Sequence, residues 1–313
     1  MNFQKIRKVE DYKFYLDVAF GRASKSISEI RAKIKDKDRL VRIKKAEIAR
    51  IELVKDTLMD MFESIIDTFP RTDKLPEFYL ELMKLTFEFS EFKKSLGAVK
   101  WASNKVDYFF RGYAQKIVRC PIFGEIPKIR GEFYGRVSSI PKQIKDNLAY
   151  LEECRKIMKT YPNIKDMKTV CIAGFPNVGK STLLKKLTGA NPEISTYAFT
   201  TKTLNLGYMG DALKKIQVID TPGTLNREDK MNMIELQAYL AMKHLATSIV
   251  YIFDPTLEYN IKDQTELLRK IKGYSKPLFI YLSKTDIADK DIIEEFKGKY
   301  KTLNFEELKA SLL

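Results

Sequence analysis

The run Gly174-Phe-Pro-Asn-Val-Gly-Lys-Ser181 constrains this chain more than any other stretch. Two glycines five positions apart, followed at once by lysine and serine, demand a loop that curls back on itself, and the flanks say what it joins. Ahead of it, Thr169-Val-Cys-Ile-Ala173 is a short apolar, β-rich run; behind it, Thr182-Leu-Leu-Lys-Lys-Leu187 has helical spacing. A strand, a glycine-rich loop and a helix in that order belong to an α/β domain.

The rest of the second half agrees. After Tyr161-Pro162-Asn163, β-rich runs at Thr169–Ala173, Ile216–Asp220, Ser248–Asp254 and Pro277–Ser283 alternate with helical ones, which predicts a mostly parallel sheet with crossover helices. The first half reads differently. Between Gly21 and Pro70 there is neither Gly nor Pro, and Leu40, Ile43, Ile51, Val54, Leu58, Met61, Phe62 and Ile65 recur with helical spacing, as in one very long helix or two nearly collinear ones. Further helices are predicted over 77–96, 98–117 and 141–159, giving an all-α antiparallel bundle. Between 112 and 141, seven Gly and Pro residues interrupt the pattern and read as a bent, basic turn rather than a regular element. With 313 residues, about two domains are expected: a helical bundle over 1–164 and an α/β domain over 165–313.

Charge separates the halves as well. The 56 Lys and Arg exceed the 41 Asp and Glu by 15, and residues 1–160 hold a surplus of 11 against 4 in the remainder. Such a field favours a polyanionic partner without naming it. Cys120, Cys154 and Cys171 are odd in number and lack metal-ligand spacing, which argues against a disulfide framework or zinc site and suits a reducing cytoplasm. Lys5, Arg7, Lys8 and Glu10 break up the start, and the longest apolar runs are strand-sized, so neither a signal peptide nor a membrane span is expected.

The chemistry follows from three short motifs. In Gly174–Ser181 the glycines let backbone N–H groups turn inward around phosphates, and the next helix adds its positive end. Lys180 then reaches the β and γ phosphates and Ser181 ligates Mg²⁺; Gly174, Asn177, Val178, Gly179 and Thr182 complete the candidate phosphate site. In Ile216-Gln-Val-Ile-Asp-Thr-Pro-Gly223, Asp220 can hold the Mg²⁺ water shell and the Gly223 N–H can sense a γ-phosphate. Alone, that stretch would read as a surface turn. Ser283-Lys-Thr-Asp286 argues for guanine: a carboxylate at 286 accepts from N1–H and the 2-amino group, and adenine offers neither donor. Lys284 would cover the ring plane. Ser283 is shorter and has fewer donors than the asparagine usual there, which reduces base affinity while keeping guanine preference. The bland alternative for this motif is a solvated loop after an edge strand.

Together these motifs resemble translation-factor-related GTPases, and Tyr197-Ala-Phe-Thr-Thr-Lys202 is similar to switch I of the Obg-like branch. More closely, the chain resembles a short archaeal-type member of the nucleolar GTP-binding protein 1 family. The likeness runs through Glu77-Phe-Tyr-Leu-Glu-Leu-Met83, Leu96-Gly97, Arg119-Cys120 and Gly135-Arg136 into the GTPase motifs and Met233-Ile-Glu-Leu-Gln-Ala238. It implies a Ras-like P-loop GTPase domain behind the bundle, with GTP and GDP as ligands. It makes Thr201, with Thr200 as the alternative, a ligand of Mg²⁺ and the γ-phosphate alongside Ser181 and Asp220. Asn177, Lys180, Thr201 and Gly223 would then surround the reacting phosphate.

The resemblance further implies action in large-subunit assembly through ribosomal RNA. The chain is expected to be cytoplasmic, ribosome-associated and monomeric, with no membrane or DNA partner. Thr224 stands where Ras-like enzymes carry a water-orienting glutamine, so unassisted turnover should be slow. Compensation would come from a group supplied in trans or from K⁺ on Asn177, since GxxNxGKS resembles P-loops that use such an ion; Asn177 also simply suits the loop conformation. The fifth guanine-contacting loop has Tyr300–Phe305 as its candidate, with no residue assigned.

Basic and aromatic residues interleave in the first half. Arg31–Arg50 holds nine Lys and Arg against three acids, and Arg111, Lys116, Arg119, Lys128, Arg130 and Arg136 mix with Phe109, Phe110, Tyr113, Phe123, Phe133 and Tyr134. That composition suits RNA, with Arg111, Arg119, Lys128, Arg130 and Arg136 as candidate contacts, although exposed helices are commonly studded with cations and most aromatics are core. Trp101 reads as bundle core, and the single histidine, His244, as packing at a helix end.

Overall fold

A computed structural model describes residues 3–189, 193–196, 203–210, 215–221, 223, 233–256 and 258–313. Thr200, Thr201 and Thr224, on which three of the sequence expectations fall, lie outside the described residues. The chain divides into two compact units, one formed by Phe3, Leu75–Thr86 and Thr160–Leu313 and the other by Gln4–Lys74 and Phe87–Lys159.

The second of these is all helix: α1 (Tyr12–Lys25), α2 (Ile27–Lys33), α3 (Arg39–Thr68), α5 (Phe89–Arg119), α6 (Ile126–Gln143) and α7 (Lys145–Met158), with α4 (Glu77–Thr86) belonging to the other unit. The single or collinear helix expected between Gly21 and Pro70 is instead three. Lys35-Asp-Lys-Asp38 has no apolar face to bury, and the Asp38 carboxylate accepts the Leu40 and Val41 amides, which starts a new helix. The chain folds back so that α1 packs on α3, with the Tyr15 and Phe62 rings 5.7 Å apart. On α3 the predicted spacing holds: Ile51, Val54, Leu58 and Phe62 are fully buried. Truncating one of them to Ala should cost about 2–5 kcal/mol.

Two punctuation readings fail. Gly97 does not end a helix, since α5 runs through it for 31 residues. The segment read as a bent turn is largely α6, an 18-residue helix. Pro127 sits in its first turn, where no N–H is needed, and Gly131 and Gly135 lie exposed with open space around them, while Phe133, Val137 and Ile140 bury the opposite face. Packing of that face overrides the low propensity of the glycines. Trp101 is also not core: it is 41% exposed, on the side of α5 away from the buried Val99, Ala102 and Val106. Of the interleaved aromatics, Tyr113 and Phe133 are buried and Phe123 is exposed.

The other unit is built on a seven-stranded sheet, among the described residues: β1 (Thr169–Ala173), β2 (Glu193–Thr196), β3 (Thr203–Met209), β4 (Ile216–Asp220), β5 (Ser248–Phe253), β6 (Leu278–Leu282) and β7 (Thr302–Leu303). Its order is β2-β3-β4-β1-β5-β6-β7, with β2–β3 and β3–β4 antiparallel and the remaining pairs parallel. The four predicted strands are the centre of the sheet, and β1, β4 and β5 are buried along their whole length, as strands covered on both faces must be. Besides α4, the helices described in this unit include α8 (Lys180–Thr188), α9 (Met233–Leu240), α10 (Ile261–Lys272), α11 (Lys290–Lys299) and α12 (Phe305–Leu312). Within it, the buried Tyr79 on α4 donates to the Pro162 carbonyl at 2.7 Å and accepts from the Ile164 amide at 3.0 Å; burial pushes its hydroxyl up to about 12. Among the described residues no helix is long and apolar enough to cross a membrane.

Candidate functional site

In a parallel sheet, ligands gather beyond the carboxyl ends of the strands where neighbouring connections diverge. Here β1 lies between β4 and β5, with Ile172 beside Asp220 and Ala173 beside Tyr251. The loop after β1 requires its glycines. Gly174 has φ +151°, and a Cβ there would stand 2.8 Å from the Ile252 carbonyl oxygen; Gly179 has φ +93° and opens α8. Asn177 has φ +61° and is exposed. Asparagine tolerates this left-handed conformation better than most residues, so its backbone alone accounts for part of its presence.

Lys180 is 7% exposed, and its ammonium donates to the carbonyls of Gly174 at 3.2 Å and Phe175 at 2.5 Å. The lysine thus lies across the curl that it closes. Beside it, the Ser181 hydroxyl donates to Oδ2 of Asp220. Asp220 is 5% exposed, and its Oδ1 has no hydrogen-bond partner among the described residues. Burial pushes its carboxyl above the usual range, against the opposing pull of Ser181, the Lys180 charge and Asn205.

The turn after β4 is fixed at two points. Thr221 donates both its amide and its hydroxyl to the Ile172 carbonyl, at 3.2 and 2.7 Å. A Cβ on Gly223 would come within 2.6 Å of the Pro176 nitrogen, so only glycine fits where this turn meets the phosphate loop. After β6, Ser283 is buried; its amide and hydroxyl donate to the Phe253 carbonyl at 3.0 and 3.2 Å, and its Cβ faces Gly179. Lys284, at φ +50°, pairs with Asp254 at 2.6 Å and Glu258 at 2.9 Å. Burial alone would raise the Asp254 carboxyl, but hydrogen bonds from Lys284 and Thr256 outweigh it and hold the group below the usual range.

The structure therefore brings the Gly174–Ser181 loop, Asp220, Gly223 and Ser283 together. Asp286 stands exposed on the same loop as Ser283 and Lys284. Val178 is buried beneath the loop and Thr182 is exposed on α8.

Three contributors escaped the sequence reading. Asn205 on β3 donates to Asp220 at 3.1 Å from the register position directly opposite it. Its signal was a polar residue between Leu204 and Leu206 in a strand that went unread. Gln264 is fully buried and bonds the Asp254 amide and carbonyl, both at 2.9 Å, fixing the loop that anchors Lys284. Tyr259 packs on Phe175 of the phosphate loop with ring centroids 4.8 Å apart.

The candidate RNA residues differ in their surroundings. Arg111, Arg119, Lys128 and Arg136 are exposed, Arg111 with Asp107 at 2.7 Å beside it, and the less exposed Arg130 is paired with Glu47 at 2.8 Å. His244 follows α9 with its Nδ1 3.4 Å from Glu77.

Comparison with known proteins adds the family. Residues 3–165 match the family described as the NOG1 N-terminal helical domain, and residues 169–284 match the family described as 50S ribosome-binding GTPase. An uncharacterized protein of Methanocaldococcus jannaschii is 41% identical over 280 residues, 88% of this chain and 78% of that protein. Nucleolar GTP-binding protein 1 of Drosophila melanogaster is 30% identical over 301 residues, 94% of this chain and 46% of its own length, so the chain spans just under half of that relative. The G domain of the T. maritima FeoB iron transporter aligns with a TM-score of 0.38 at 24% identity, covering 47% of this chain and 96% of that one. The chain belongs to the NOG1 family, with a helical N-terminal domain followed by a P-loop GTPase domain.

Proposed function

We propose that the chain binds GTP and GDP, hydrolyses GTP to GDP and phosphate, and acts as a switch in assembly of the large ribosomal subunit. Residues 165–313 form the GTP-binding domain and residues 1–164 the basic helical domain that contacts ribosomal RNA, in the cytoplasm and as a monomer. The observation that carries the nucleotide part is the meeting of three loops at one place: Gly223 against Pro176, and Ser283 against Gly179.

Backbone amides of Gly174–Thr182 and the Lys180 ammonium bind the β and γ phosphates. Asp220 and Ser181 offer an oxygen donor set suited to Mg²⁺, and the ion would give Oδ1 of Asp220, buried and without a hydrogen-bond partner among the described residues, a partner. Bound by Ser181, Asp220 and Thr201, Mg²⁺ supplies positive charge against the phosphate oxygens. Gly223 senses the γ-phosphate through its amide; Ser283, Lys284 and Asp286 hold the guanine. Expected is phosphate release from GTP and not ATP, lost in Lys180→Ala with helical content unchanged. Equal release from ATP, or an active Lys180→Ala protein, contradicts the reading.

Thr224 is too short to orient water as a glutamine does, so unassisted turnover should be at or below about 10⁻⁴–10⁻³ s⁻¹. We infer that Asn177 admits K⁺ beside the phosphates, where its charge substitutes for an arginine finger. Turnover should then be faster in K⁺ than in Na⁺, with the difference gone in Asn177→Ala; equal rates in both salts dismiss the ion. The missing glutamine also favours a second reading, a nucleotide-gated RNA scaffold with incidental hydrolysis. Stimulation of turnover by large-subunit particles supports the switch; tight GTP-dependent RNA binding without stimulation supports the scaffold.

A further inference from the structure

The helical unit holds an open cleft of about 490 Å³ between the end of α2, the first turns of α3 and the start of α6. That volume lies within the range of small-ligand sites. Arg31, Arg39, Arg42 and Arg130 line it, with Ile43 and Phe123 supplying apolar surface. Its charge is one-sided. Among the described residues Glu47 is the only carboxylate lining it, and that group is taken by Arg130 at 2.8 Å. Arg31, Arg39 and Arg42 are exposed and have no carboxylate partner among the described residues. The α3 amides are not the attraction, because Asp38 already accepts those of Leu40 and Val41. An anion drawn here therefore meets guanidinium groups, whose planar forks suit phosphate oxygens.

Phe123 narrows the choice of anion. It is 56% exposed on the short turn before α6, and the Arg39 guanidinium lies 5.8 Å from its ring centroid. An exposed ring beside cations, over an apolar floor, suits a flat aromatic group joined to phosphates better than an acidic peptide, which brings charge without a π-face. Arg130, fixed by Glu47, adds a polar wall with donors for a base edge.

We propose that this cleft binds one unstacked nucleotide of single-stranded RNA, its base on Phe123 and its flanking phosphates on Arg31, Arg39 and Arg42. The proposal rests on the reading that the helical domain contacts ribosomal RNA, and names the site and the form of RNA that it takes. Duplex RNA keeps its bases stacked and offers the cleft phosphates and 2′-hydroxyls but no free base face.

The test is fluorescence anisotropy of the full chain with labelled hexauridylate, a fully paired RNA duplex, large-subunit rRNA and hexaglutamate. The wild type should bind hexauridylate and not hexaglutamate. Phe123→Ala should weaken hexauridylate binding on the order of tenfold at an unchanged salt slope, while Phe123→Tyr restores it. Arg39→Gln with Arg42→Gln should lower the slope of log affinity against log salt by about 1.4, for two phosphate contacts on a single strand. These three side chains are exposed, and circular dichroism of each variant checks that the fold is kept. Unchanged binding by Phe123→Ala overturns the proposal, as does hexaglutamate binding as tightly as RNA, or duplex binding that matches hexauridylate. If the wild type binds rRNA and these variants bind it equally well, only the cleft assignment falls; if the wild type binds no rRNA, the wider reading falls with it.

Discussion

In the α/β unit most charged groups at the candidate site are already committed to neighbours, Lys180 to two loop carbonyls, Asp220 to Ser181 and Asn205, and Lys284 to Asp254 and Glu258, while Asp286 stands exposed. In the helical unit Arg31, Arg39 and Arg42 stand in solvent without a carboxylate partner among the described residues, around an exposed ring. On the proposed function, the contrast separates two ways of recognising phosphate. Buried, preorganised groups select one small ligand by geometry and are little screened by salt; an open cationic surface gains affinity from displaced counterions and is strongly screened.

The sharpest way to break this comparison is ionic strength. If about 6–10 phosphates are contacted, RNA affinity should fall by about 10³–10⁵ between 50 and 200 mM salt, while GDP affinity changes far less. Filter binding of rRNA beside equilibrium dialysis of GDP across that range checks it. A flat RNA response would point to a protein partner for the helical domain.

Next in size is the base. Two hydrogen bonds from guanine to the Asp286 carboxylate should each contribute about 1.5–2 kcal/mol, so Asp286→Ala should weaken GDP binding by about 10²–10³ at unchanged thermal stability, because this side chain is exposed. An undiminished affinity would leave the loop a solvated turn.

Lys284 tests commitment inside the fold. Lys284→Ala strands the buried Asp254 carboxylate, and the stability loss should be about 2 kcal/mol, less than the ~3–5 of a fully enclosed pair because the lysine side chain is 26% exposed. The pH dependence has a definite sign. Asp254 is held low, so its contribution is in place above the ordinary carboxylate range and is lost as pH falls through the lowered value. Lys284 is raised, mainly by its hydrogen bond to Asp254, so its share is present below the ordinary lysine value and lost as pH rises through the raised one. Denaturation of both proteins at neutral and acid pH should show the gap closing in acid.

The smallest effect belongs to Ser283. Its hydroxyl is held by the Phe253 carbonyl, so Ser283→Asn, which restores a longer amide, should tighten GDP about fivefold, read by titration.

What could be read from the sequence follows the same division. The four central strands were visible as short runs rich in apolar and β-branched residues, three of them buried along their whole length, and the phosphate loop because its backbone admits only glycine at certain places. The antiparallel edge went unread, and β3 carries Gly207 in its interior. Gly207 is where α8 comes so close that a Cβ would meet the Thr188 side chain at 2.4 Å, and a glycine inside a strand signals such an approach. In α6 the glycines misled for the opposite reason: nothing approaches Gly131 or Gly135, and the helix is decided by residues on its other face. Trp101 was placed in the core by type alone, and residue type does not say which side of α5 it occupies. Asn205 announced itself only as a polar residue between two leucines of an unread strand, and Gln264 acts on a loop ten residues earlier in the chain, a pairing that helical spacing does not show.

The central claim is that the loops carrying Lys180, Asp220, Gly223 and Asp286 form a single guanine-nucleotide site. Calorimetric titration of the full chain with GDP and with ADP, in the presence of Mg²⁺, tests it most directly. The account predicts saturable heat from GDP and none from ADP; equal heats from both, or none from GDP, would contradict it.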